Sequence, residues 1–201
     1  MHPNPIFRSE SEARALDLAR DRALGTLAVN HDGGPLLSHV PFLLAEDGAR
    51  ADLHLVRSNP IARLGSVEAV IAVQGPDAYV SPDWYGIEDQ VPTWNYVAIH
   101  LRGRLEPLPP ETMPDLLARQ SAAYESRLAP KTPWTMDKMS DEVLTRFLRM
   151  ILPFRLTIER IDSTFKLGQN KAEEVRHAAA DRLAEGFGVE VGALSRLMRE
   201  G

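Results

Sequence analysis

The sequence predicts an α+β fold built on a mostly antiparallel β-domain of about six strands, and three observations predict it. Short runs rich in aliphatic and aromatic residues alternate with period two, most plainly over Thr93–Leu105. Tight-turn signals, His31-Asp32-Gly33-Gly34 and Asp47-Gly48, directly follow such runs. Helical stripes with capping residues stand between or beyond the runs rather than replacing them.

In chain order, Ser9 and Glu12 make a capping box, and Ala13, Leu16, Ala19 and Ala23 supply a stripe, so a helix is expected over Glu10–Arg22. Leu24–Asn30 reads as a strand, closed by the His31–Gly34 turn, and Pro35–Ala45 as its return. Pro41 removes a ladder donor there and marks an edge, a bulge or a change of neighbour. Ala51–Val56 is the third strand. Ser58 or Asn59 then caps a short helix begun by Pro60, whose free amides and neighbouring Arg57 suit an anion. Val67–Val73 is a strand. Gln74–Pro92 reads as a long connection, crowded with aromatic, amide and proline residues. Over Thr93–Leu105, Thr93, Asn95, Val97, Ile99, Leu101 and Leu105 face one way, and Trp94, Tyr96, Ala98, His100, Arg102 and Arg104 the other. Helices are expected over Glu111–Leu128 and Asp141–Ile151, the second ended by Pro153, and a last strand over Phe154–Ile161. Lys171–Gly201 is helical by composition, broken near Gly186 and Gly188. The expected organisation is one domain over residues 1–170 with a helical extension over 171–201.

Composition narrows the chemistry. The chain of 201 residues is 44% hydrophobic and 25% charged, the balance of a globular protein. With no cysteine, disulfides, thiolate metal sites and thiol nucleophiles are excluded. No run approaches the roughly 18 apolar residues of a membrane span, and the N-terminus lacks a secretory pattern, so a cytoplasmic location with no membrane partner is expected. A net charge of −5 argues against a protein whose main task is gripping DNA.

Phosphate-loop, nucleophile-elbow and dinucleotide-fingerprint motifs are absent. The histidines are scattered, so no metal site is predicted. Ser38 and His39 are adjacent on a strand and point to opposite faces, which is poor geometry for a nucleophile and its base. What remains is an anion site near Arg57, an aromatic strand suited to a planar ligand, and a late cationic–amide cluster of Lys166, Gln169 and Asn170. The aromatic strand also reads as a subunit interface. Phosphate, planar ring and polar ring edge together describe a mononucleotide, and flavin mononucleotide (FMN) fits best. Lys166, Lys171, Arg176 and Arg182 make the only basic cluster beside a helix, read as a solvated face.

Several segments resemble the PaiB family: SHVPFLL (Ser38–Leu44), HLVRSNP (His54–Pro60), QGPDAYVSPDWY (Gln74–Tyr85), VPTWNYVAIHLRG (Val91–Gly103) and FKLGQNK (Phe165–Lys171). The similarity runs from about Pro5 to Arg176 in order and spacing. The resemblance implies an antiparallel split β-barrel of the pyridoxamine phosphate oxidase-like kind, a homodimer, and FMN at the subunit interface. It further implies negative regulation of transcription, associated in bacteria with sporulation and protease genes. Carried over, Arg57, Ser58 and Asn59 are expected at the flavin phosphate, and Ser38, His39 and Pro41 beside the ring system. Thr93, Trp94, Asn95 and Tyr96 are expected on the aromatic strand, with Lys166 and Gln169 at the polar edge. Pro153 and Gly168 stand where the family usually has Gly and Ser. A flavin-dependent oxidoreductase using NAD(P)H and a non-catalytic flavin or haem binder are the alternative functions, and no catalytic residue is singled out.

Overall fold

The computed structural model describes residues 2–200; Met1 and Gly201, the latter the end of the expected tail, lie outside the described residues. The described chain runs α1 (Glu12–Arg22), β1 (Leu24–Val29), β2 (Leu36–Leu44), β3 (Arg50–Val56), β4 (Val67–Val80), β5 (Thr93–Pro107), α2 (Met113–Glu125), α3 (Asp141–Leu148), β6 (Ile151–Lys166), α4 (Glu173–Arg182), β7 (Gly188–Val189) and α5 (Val191–Glu200). Short 3-10 turns at Pro5–Arg8, Pro60–Arg63 and Pro82–Tyr85 punctuate it. The strands are hydrogen bonded in the order β1-β2-β3-β6-β5-β4-β7, and β1 also pairs with β4, which closes β1–β6 into an antiparallel barrel.

Several bounds differ from expectation for physical reasons. The cap of α1 is Ser11, whose hydroxyl accepts from Arg14 N (3.2 Å), while Ser9 Oγ instead donates to Ile6 O. β4 continues through Gly75-Pro76 to Val80, so part of the expected connection is strand. Glycine permits this because a Cβ at Gly75 would stand 2.8 Å from Val97 Cβ. α3 ends at Leu148, and Pro153 lies inside β6 opposite His54, its carbonyl accepting from Leu108 N (2.9 Å). The tail break at Gly186 and Gly188 holds two residues of strand paired with Asp77 and Ala78 of β4.

The chain folds as two compact units, and β4, β5 and β6 each run through both. One unit comprises Ala19–Ala72 and Leu101–Ile161. Its core gathers Leu27, Phe42, Leu53, Ile71, Leu101, Phe154 and Leu156, the inward positions of its strands. Pro41 stands opposite Leu24 at the start of β1, one residue before β2 takes up β3 as a neighbour at Phe42–Leu53. Its missing N–H therefore falls at the change of neighbours. Gly103 is required by close approach, because a Cβ there would lie 1.9 Å from Thr157 O.

Asp52 is buried in this unit and accepts from Arg155 Nε (2.7 Å), Arg155 Nη2 (3.0 Å) and Arg119 Nη2 (3.1 Å). Burial alone would raise its pKa; the bonds from Arg155 and Arg119 outweigh that and hold it below the usual carboxylate range. Nearby, Tyr124 Oη donates to Phe42 O (2.9 Å) and accepts from Gln120 Nε2 (3.1 Å). Burial lowers the His54 pKa against an opposing bond to Gln120, and its Nδ1 is buried with no hydrogen-bond partner among the described residues.

The other unit comprises the residues up to Leu18, Val73–His100 and those from Asp162 onward. Val97, Ile99, Phe165, Leu167, Ala180, Leu183, Leu194 and Met198 fill its core. Its helices are weakly apolar in sequence, and packing rather than propensity holds them. Among the described residues no helix is long and apolar enough to cross a membrane.

Candidate functional site

The expected site residues fall into two groups, one in each unit. The first is the turn after β3. Asn59 caps the 3-10 turn, its Oδ1 accepting from Ile61 N (2.9 Å), and Pro60 supplies the fixed φ of the first turn position. Asn59 Nδ2 also donates to Ser38 Oγ (3.0 Å), so β2 and the turn are tied by side chains. Arg57 N donates to Met150 O (2.8 Å) and Arg57 Nε to Arg149 O (3.0 Å). That anchors the guanidinium while its terminal nitrogens meet no acceptor among the described residues. Ser58 is exposed beside it. His39 is exposed and alternates away from Ser38, and Pro41 is half-buried. The structure thus brings Ser38, Arg57, Ser58 and Asn59 to one corner and leaves His39 outside it.

The second group lies on β5 and the end of β6. Thr93–Tyr96 alternates as expected, with Asn95 buried and Trp94 44% exposed. Lys166 Nζ donates to Thr93 Oγ1 and Trp94 O. Burial lowers the Lys166 pKa, and the charge of Lys171 lowers it further. Asn95 satisfies its buried amide by donating to Met198 Sδ (3.4 Å) on α5, a partner 103 residues away. Gln169 turns inward: Nε2 donates to Phe165 O (2.6 Å) and Oε1 accepts from Leu167 N (2.9 Å). Its carboxamide therefore shapes the loop. Gly168 in that loop has φ of +87°, a conformation that strains other residues and gives this chain's departure from Ser a reason.

The sequence missed part of this surface. Tyr79 stacks on Phe187 (centroids 5.4 Å apart, 12° between planes), and Trp94 meets both edge-on at 6.3 and 5.5 Å. Phe187 is 61% exposed and sits in the tail, where only its place between Gly186 and Gly188 hinted at an irregular, presented aromatic. Lys171 Nζ donates to Gln90 Oε1 and lies 4.4 Å from the Tyr85 ring centroid, a cation–π contact. Tyr85, Val97 and Ile99 are core residues. Arg176, expected on a solvated helix face, is 7% exposed. Its stem packs on the Gly168 loop, with Cγ 3.5 Å from where a Cβ would stand, an ordinary contact distance. Among the described residues no three His, Asp or Glu side chains are placed to hold a metal ion.

Comparison with known proteins gives these features a family. A family model described as "Putative FMN-binding domain" matches residues 1–160. The Bacillus subtilis protein named protease synthase and sporulation protein PAI 2 is 29% identical over 177 residues, covering 86% of this chain and 84% of that protein. The solved FAD and haem binding protein of Mycobacterium smegmatis superposes with a TM-score of 0.57 at 21% identity, covering 90% of this chain and 81% of that one. The flavocytochrome Anf3 of Azotobacter vinelandii gives 0.52 at 12% identity, over 79% and 69%. These two likenesses establish the split-barrel fold. The donor set of the first corner suits a phosphate, and the rings and amine of the second suit a planar heterocycle, the two chemistries that FMN carries. With the family model covering most of its length, the chain belongs to the FMN-binding, PaiB-like family of split-barrel flavoproteins, and FMN is its cofactor.

Proposed function

We propose that the protein is an FMN-binding negative regulator of transcription that acts as a homodimer. Arg57 carries the reading. Its Nε is held by Arg149 O, so the guanidinium is fixed in place with its terminal nitrogens unspent. A phosphate dianion is the partner that planar donors of this kind recognise. Ser58 adds a hydroxyl donor, and the Asn59–Ser38 bond keeps the corner in shape. Thr93, Trp94, Tyr96 and Lys166 offer the ring-facing surface of their unit, and Asn95 and Gln169 brace it from within. When bound, FMN supplies reversible hydride chemistry, and these residues bind and orient it.

Two observations support the regulatory and dimeric parts. The B. subtilis relative bears a name tied to protease synthesis and sporulation. Leu24, Leu37, Val56 and Met150 are all exposed, an apolar surface of the sort a second copy covers. The net charge of −5 favours regulation through a ligand or partner over a direct grip on DNA.

Titrating FMN by fluorescence quenching into wild type and Arg57→Ala tests the assignment. The expected loss is about 1.5–3 kcal/mol, roughly 10- to 150-fold in Kd. Unchanged affinity removes the phosphate role from Arg57. A monomer by light scattering at micromolar concentration removes the dimer. Transcript levels that match between wild-type and gene-deleted cells remove the regulatory role.

A further inference from the structure

We infer that Arg176 is the centre of a second anion site, separate from the flavin phosphate corner and built for the carboxylate or phosphate of a small ligand. Arg176 projects from α4, is more than nine-tenths buried, and its Nε is sealed from solvent with no acceptor. The side chain has no carboxylate or hydrogen-bond partner among the described residues. A buried donor left without an acceptor is costly.

The lack of a partner is not a shortage of acids. In the same unit Arg14 pairs with Glu10 (2.9 Å), Arg182 with Glu185 (2.8 Å) and Arg199 with Asp181. Glu173 and Glu174 begin α4 itself, yet Glu173 lies toward His177 (3.9 Å) and neither pairs with Arg176. Lys166 and Lys171 precede α4 and take only neutral acceptors, Thr93 Oγ1, Trp94 O and Gln90 Oε1. Burial lowers the Lys166 pKa, and the charge of Lys171 lowers it further. A Cβ on Gly168 would stand 3.5 Å from Arg176 Cγ and 3.9 Å from Asn95 Nδ2, so the Asn95 amide donor lies across Gly168 from the arginine stem. That donor is engaged by a thioether, a weak acceptor that an oxyanion would outcompete. The family model ends at residue 160, short of this corner.

The test uses full-length protein saturated with FMN, so that the flavin corner is filled. Thermal unfolding is followed against inorganic phosphate and, separately, acetate, with ionic strength held constant by sodium chloride. Wild type is expected to gain several degrees with saturation in at least one anion, and the anion that acts identifies phosphate or carboxylate chemistry. Arg176→Gln is expected to lose the gain and, in anion-free buffer, to melt no lower than wild type. Arg176→Lys, which keeps the stem and charge, is expected to shift the midpoint of the titration at least tenfold, and decides the matter if Arg176→Gln does not fold. No gain in wild type with either anion overturns the proposal. So does an undiminished gain in both variants. Loss of FMN binding in Arg176→Gln, with wild type still binding it, would assign Arg176 to the flavin site instead. Conversion of a wild-type dimer to monomer would assign its counter-charge to a partner copy.

Discussion

Asp52 and Arg176 are both buried charges, but one is enclosed by opposite charge and the other is not. Around Asp52, Arg155 and Arg119 place three donors within 3.1 Å, and the group is complete within its own unit. Arg176 has no such partner among the described residues, and its Nε is sealed without an acceptor. The contrast teaches where the chain spends charge on folding and where it leaves charge for a ligand. A charge that serves the fold has its partners within the chain. A charge that serves binding is left incomplete and makes the unliganded state less stable than it need be.

Removing the partner on the complete side has the largest expected effect. Asp52→Ala removes the buried acceptor of two part-exposed arginines, of which Arg119 keeps Asp115, and should lower unfolding free energy by about 1.5–3 kcal/mol in urea denaturation. Should Asp52→Ala and Arg176→Gln cost equally, the contrast between the units collapses. Next comes Gly168→Ser, expected to cost about 1–2 kcal/mol because a side chain is placed at positive φ. An unaffected urea midpoint would mean the loop relaxes and that the family's serine is compatible with this geometry. Asn59→Ala removes a cap and the bond to Ser38 together, and should cost about 1 kcal/mol. Its effect on FMN affinity should exceed its effect on stability if the turn is organised for phosphate.

The smallest effect is a pH dependence in the unit that holds Asp52 and His54. The folded-state pKa of His54 lies below its unfolded value near 6.5, so the unfolded chain takes up the proton first. Stability should therefore fall as pH drops below about 6.5, until the folded form is protonated too. Asp52 acts in the same direction lower down: its contribution is present above the usual carboxylate range and is lost as pH falls through its depressed folded value. Urea midpoints at several pH values should show a shallower decline between about pH 7 and 5 for His54→Gln than for wild type.

Much of the fold was legible because period-two alternation is a local signal. Asn95, Val97, Ile99, Leu101 and Leu105 are all buried along β5, as the pattern required. Gly75-Pro76 was opaque for the opposite reason. A glycine–proline pair is a turn signal in isolation, and only the close approach of Val97 explains it within a strand. The Arg57–Asn59 turn was readable as a cap, while its side-chain bond to Ser38 depends on tertiary neighbours. The sequence left the partner of Asn95 open, since nothing local points to a methionine 103 residues on. Arg176 misled for a similar reason: a cation on a short polar helix reads as solvated until the loop packed on it is known.

The short strand β7 has a consequence for how the protein can be observed. Phe187 O accepts from Tyr79 N (3.2 Å), Gly188 fits where a Cβ would lie 2.2 Å from Asp77 O, and Val189 N donates to Asp77 Oδ1 (3.1 Å). The same stretch lays Phe187 edge-on to Trp94, and Gly186 against Trp84, where a Cβ would be 2.8 Å from Cη2. Two of the chain's three tryptophans therefore border the tail. Intrinsic emission becomes a built-in optical gauge of whether that tail is seated: lifting it would bare both indoles to water and shift their fluorescence to the red, without any label attached.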